Sequence, residues 1–92
     1  MKVVSEVKKV KEGIYQGIVA FPSKPDLRDC VFTSLNVLFS SGPKNPIWGM
    51  RPSNIDGYLE AFCEFDTPGQ ANNWNNKISS LIIDTGNKNK DY

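Results

Sequence analysis

Residues 58–66 read YLEAFCEFD, and the alternation within those nine residues decides the fold. Leu59, Ala61, Cys63 and Phe65 fall on one side of a pleated strand, and Tyr58, Glu60, Phe62, Glu64 and Asp66 on the other. An apolar set repeating every second residue belongs to a strand that gives one face to a core. The opposite face must be wet or meet a partner. Directly afterwards, Thr67-Pro68-Gly69-Gln70 has the form of a capping box, with Thr at the N-cap, Pro in the first helical position and Gln at the third. Ala71, Trp74, Ile78, Leu81 and Ile82 then share one helical face, with Asn72, Asn73, Asn75, Asn76 and Lys77 on the other. A strand followed by an amphipathic helix predicts a helix lying on a sheet. Ile82-Ile83-Asp84 offers a short last strand, and residues 87–92 are expected to form a flexible C-terminal tail after a single domain over 1–86.

Upstream, Asp56-Gly57 suits a hairpin turn. Residues 45–52, NPIWGMRP, carry Pro at both ends and read as an edge strand, bulged at Gly49. Before them, Ser23-Lys24-Pro25-Asp26 opens a helix whose apolar residues are Leu27, Cys30, Val31, Leu35 and Leu38, widened by Phe32 and Phe39, and Gly42-Pro43 stops it. Residues 14–21, IYQGIVAF, form a β-rich, mostly apolar run expected at the centre of a sheet. In residues 2–12 the spacing of Val4, Val7 and Val10 lets a short helix compete with a strand, and the density of valine favours the strand. The expected order is β, β, α, β, β, α. This is an α+β two-layer sandwich, an antiparallel sheet with two helices on one face and a ferredoxin-like β-α-β-β-α core extended by an N-terminal strand.

Composition narrows the function. The chain has 92 residues, enough for one small domain, and a formal net charge of +1 with a pI near 7.7. Such a balance lacks the concentrated basic face of a duplex-DNA binder. Residues 1–12 have a surplus of two positive charges, and residues 52–86 a deficit of four. No apolar run is long enough to span a membrane, and the charged start lacks the apolar region of a secretory signal, so a cytoplasmic protein is expected. Histidine is absent and Cys occurs twice, which excludes histidine-based catalysis and Cys/His metal sites. Cys30 and Cys63, both on apolar faces, are expected to be reduced, buried and inert.

No nucleophile has a base to serve it, and no glycine-rich phosphate loop occurs. The spacings Glu60/Glu64 and Glu64/Asp66 would suit an acid–base or divalent-metal pair, but an ordinary charged strand face explains them better. No catalytic residue, metal or cofactor is expected. Tyr58 and Phe62 suggest a stacking platform, yet Glu60, Glu64 and Asp66 between them repel phosphate, and YLEAFCEFD does not fit the RNP1 pattern, so nucleic acid is disfavoured. An apolar-acidic open face better suits a protein partner or a second copy of the chain. The residues expected to make that contact are Tyr58, Glu60, Phe62 and Glu64, with Trp48 on the edge.

The stretch from Ile18 to Asp66 also resembles the ACT domain, a small amino-acid-sensing module. The likeness rests on Lys24-Pro25-Asp26-Leu27, Leu35-Asn36-Val37-Leu38-Phe39, Gly42, Met50-Arg51-Pro52 and Tyr58–Asp66. Two departures stand out: Asp26 takes the place of the family's loop glycine, and Gly49-Met50 that of Glu-Ser before Arg-Pro. The resemblance implies a regulatory module with a small-molecule site between Asp26, Leu27 and Arg28 on one side and Met50 and Arg51 on the other, near a dimer interface. The expected function is therefore a non-enzymatic binding or accessory domain acting by protein contact or homodimerisation. An amino-acid sensor is the alternative.

Overall fold

The computed structural model describes residues 2–40 and 47–89, with side chains for 2–34 and 47–87. Four strands and two helices follow in the expected order: β1 (Val4–Lys11), β2 (Ile14–Pro22), α1 (Pro25–Ser40), β3 (Trp48–Pro52), β4 (Tyr58–Phe65) and α2 (Pro68–Asn89). They build an α+β fold on one four-stranded sheet of order β1-β2-β4-β3, antiparallel throughout. Residues 2–12 could have formed only a short helix, which is marginal in water. As β1 they instead pair with β2 from Val4↔Ala20 to Lys9↔Tyr15, with a register shift between Lys9 and Lys11. Gly57, at φ 78°, supplies the left-handed residue that closes the β3–β4 connection. Its carbonyl accepts from the Ser23 amide at 2.9 Å, which ties that connection to the start of α1.

Both helices cover one face. Leu27 and Val31 of α1 and Trp74, Ile78 and Ile82 of α2 close over Val19, Phe21, Ala61 and Cys63 of the central strands. Val3, Trp48, Met50, Leu59 and Phe65 pack around this core. The α2 helix packs tightly over Gly17. A Cβ there would stand 2.5 Å from Asn75 Oδ1, 2.9 Å from Trp74 Cε3 and 3.2 Å from the Ala71 carbonyl oxygen.

The start of α2 follows its sequence signature with one change of partner. The Gln70 amide donates to Thr67 Oγ1 at 3.2 Å, as an N-cap should, while Gln70 Oε1 accepts from the Asp66 amide rather than from that of Thr67. Replacing Thr67 with Ala is expected to cost about 1 kcal/mol in a urea unfolding curve.

Several expectations are corrected. Ile82-Ile83-Asp84 forms no last strand; it continues α2, because Ile82 is needed in the core on the same helical face as Ile78. The helix runs to Asn89, so residues 87–89 extend it rather than begin a tail. Asn75, assigned by spacing to the wet face, is 3% exposed, because its amide Nδ2 donates to the Glu6 carbonyl oxygen at 2.8 Å and closes α2 onto β1. Cys30 is half-buried rather than buried, with Sγ 3.1 Å from Thr85 Oγ1 of α2. The Gly42-Pro43 helix stop, Asn45 and Pro46 of the edge segment, and residues 90–92 of the tail lie outside the described residues.

Candidate functional site

Strand register assigns the face opposite the helices. Phe62 is paired with Ile18 and Gly49, Glu60 with Ala20 and Arg51, and Glu64 with Gln16. Glu6 and Lys8 of β1 join the same face through Ile18 and Gln16. No described helix lies over it, yet Ile18 and Ala20 are only 6% and 5% exposed. They sit on a central strand, with a strand on either side.

The middle of the face is an ordered stack. The Phe62 ring lies beside Gly49, where a Cβ would stand 3.1 Å from its Cζ. The guanidinium carbon of Arg51 sits 4.4 Å from the centroid of that ring. Arg51 Nε donates to Glu60 Oε2 at 2.6 Å, and Nη2 reaches Gln16 Oε1 at 3.4 Å. Arg51 therefore spans from β3 across β4 to β2, holding a ring, a carboxylate and an amide together. A planar, delocalised cation can do this because it stacks and donates from several nitrogens at once. Tyr58 lies across Pro22 in the register, and its hydroxyl donates to the Lys2 carbonyl oxygen at 3.2 Å. The Glu64 amide donates to the Ile47 carbonyl oxygen at 3.0 Å, and among the described residues its side chain makes no ion pair.

The structure thus gathers Tyr58, Glu60, Phe62 and Glu64 on one face that no described helix covers. Trp48 belongs elsewhere. It is paired with Cys63 on the inner side, packs against the core, and lies 6.1 Å from the ring of half-exposed Phe32. Sequence reasoning missed Gln16 and Arg51 as members of the face. The signal was present in the pleat: Arg51 shares its parity with Gly49, across from Phe62.

The five residues that the ACT resemblance brings together are divided between layers. Leu27 is in the core, Met50 packs beneath the sheet, Arg51 is on the open face bound to Glu60, and Asp26 and Arg28 are exposed at the start of α1. Among the described residues, no three of Cys, Asp and Glu are placed to hold a metal ion, and no helix is long and apolar enough to cross a membrane.

Cys63 is fully buried beside the Glu64 backbone, and burial pushes its thiol from an ordinary 9.0 up to about 12. Thiolate is the reactive form, so Cys63 is inert while the chain is folded. Iodoacetamide at pH 8 is expected to spare Cys63 in the native chain and to label it in urea, as read by mass spectrometry of peptides. The sign for stability follows: the unfolded thiol releases its proton near pH 9 while the folded one keeps it, so stability falls as pH rises from about 9 toward 12.

In comparisons with known families, curated proteins and solved structures, no family model, protein or structure matches this chain.

Proposed function

We propose that the chain is a non-enzymatic binding domain, a regulatory or accessory factor that meets another protein through its open sheet face. The observation that carries this reading is the Arg51–Phe62–Glu60 stack, fixed by a 2.6 Å ion pair on a face that no described helix covers. Side chains already held in place lose little freedom on binding, and aromatic residues and arginine are the usual anchors of protein contacts. Glu64, with no ion pair among the described residues, favours a partner that presents a basic group beside an apolar one.

The test is site-specific photo-crosslinking in the source cells, with the crosslinker at position 62 and, as a control, at exposed position 72 of α2. A discrete protein adduct from position 62 alone, lost on Glu64→Lys, is the expected result. Equal adducts from both positions, or none from 62, would overturn the reading. So would a thermal shift with an amino acid, which at 100 times its dissociation constant adds about 2.7 kcal/mol of stability.

A further inference from the structure

Among the described residues the sheet has two free edges, and they differ. β3 has five residues and ends at Pro52, which has no amide hydrogen to offer another strand. β1 has eight residues, and among the described residues only its β2 side is paired. Lysines 8, 9 and 11 would ordinarily keep a further strand away. Two of the three are answered: Lys9 is paired with Glu12 at 2.7 Å, and Lys8 has Glu6 as its counterpart across Val7. Within the unbroken register, positions equally distant from Val7 carry Glu6 and Lys8, and Ser5 and Lys9. Antiparallel pairing of β1 with its own copy around a two-fold axis at Val7 sets Glu6 against Lys8 of the other copy at two symmetric places on one face of the sheet.

The geometry suits such pairing. Register with β2 is unbroken from Val4 to Lys9, so the central residues Ser5–Lys9 present a regular ladder ahead of the irregularity at Val10. Val4 and Val10 are 36% and 48% exposed, two large apolar side chains left uncovered on one short strand. The strand is also held from within: Asn75 Nδ2 donates to the Glu6 carbonyl oxygen, which keeps a second lone pair for an incoming amide.

We infer that the chain pairs with a second copy of itself through β1, antiparallel and centred on Val7, to form one continuous eight-stranded sheet. The two-fold axis stands perpendicular to the sheet, so both helical layers lie on one side and both Phe62 faces on the other. This pairing does not depend on the proposed function, because it leaves the Phe62 face uncovered.

Sedimentation equilibrium of the full chain, and of the exposed-site variants Glu6→Lys and Lys8→Glu, tests it. The wild type is expected to be a dimer. Each variant alone sets like charges against each other at two symmetric places and is expected to weaken the dimer about tenfold. Mixing the two variants restores opposite charges at both places, and the heterodimer is expected to recover wild-type affinity. Far-ultraviolet circular dichroism establishes that each variant is folded. A wild-type monomer at 100 times the concentration used for the other measurements, a dimer indifferent to Glu6→Lys, or a mixture no tighter than its components would overturn the inference. Glu64→Lys separates the two proposals, since it leaves this dimer intact while removing the adduct at position 62.

Discussion

Replacing Gly17 with Ala is expected to remove about 3 kcal/mol of folding stability, the upper range for overpacking a dense core, and to lower Tm by roughly 12–24 °C. The size follows from what the new methyl group meets. Asn75 Oδ1, at 2.5 Å, is the end of a side chain, but that side chain is buried and anchored to Glu6 through its amide. Trp74 Cε3, at 2.9 Å, belongs to a buried indole ring that also lies 5.9 Å from the ring of Phe65. The third contact, 3.2 Å from the Ala71 carbonyl, is helix backbone. None of the three can give way alone, so α2 must lift from β2. A urea unfolding curve measures the loss directly. A change under 1 kcal/mol would mean that the helix does not ride on this glycine.

Asn75→Asp is expected to cost about 3 kcal/mol at neutral pH, because it removes the donor to Glu6 and buries a carboxylate without a partner. Its pH dependence identifies the cause. Burial raises the folded-state pKa of the new acid above the unfolded value of roughly 3.9. Below that value both states carry the proton, and the neutral acid can donate to the Glu6 carbonyl oxygen as the amide did. As pH rises, the unfolded state ionises first, and the variant loses stability relative to wild type until the folded pKa is passed. Unfolding curves at pH 3.5 and pH 7 should therefore converge on wild type at the lower value and separate at the higher. A penalty independent of pH would point to lost packing instead.

The two predictions concern neighbouring residues and should not be additive. Gly17 and Asn75 touch, and the same seating of α2 on the β1–β2 pair answers for both. The double variant is expected to lose less than the two single losses together.

Much of the architecture was legible because its periodicities were clean. The alternation of Leu59, Ala61, Cys63 and Phe65 identified β4, and the cap at Thr67-Pro68-Gly69-Gln70 marked the start of α2. The open face was legible for the same reason, since a period of two assigns both faces at once. Other features depended on contacts between distant residues. Asn75 looked like surface in a run of asparagines, and only the position of β1 turns it inward. Ile82 and Ile83 have strong strand propensity, but tertiary packing of Ile82 outweighs it and keeps the helix going. Trp48 read as an edge residue, and its inward parity depends on the register of β3 against β4, which the short strand between two prolines did not fix. Arg51 was noticed for its place beside Pro52, whereas its reach to Gln16 depends on two strands that lie 35 positions apart in the sequence.

The strand order also has a consequence for how the chain acquires its shape. The β1–β2 and β3–β4 pairs join sequence neighbours and can zip locally, but the seam between β2 and β4 unites Tyr15 with Phe65 and Pro22 with Tyr58. Closing that seam requires a long loop to be tied before its contacts return any free energy, so it sets the pace of folding. During synthesis, Val19 and Phe21 leave the ribosome well before β4 and α2 exist to shelter them. The nascent chain thus passes through an interval with its greasiest strand bare, when a chaperone has most to protect.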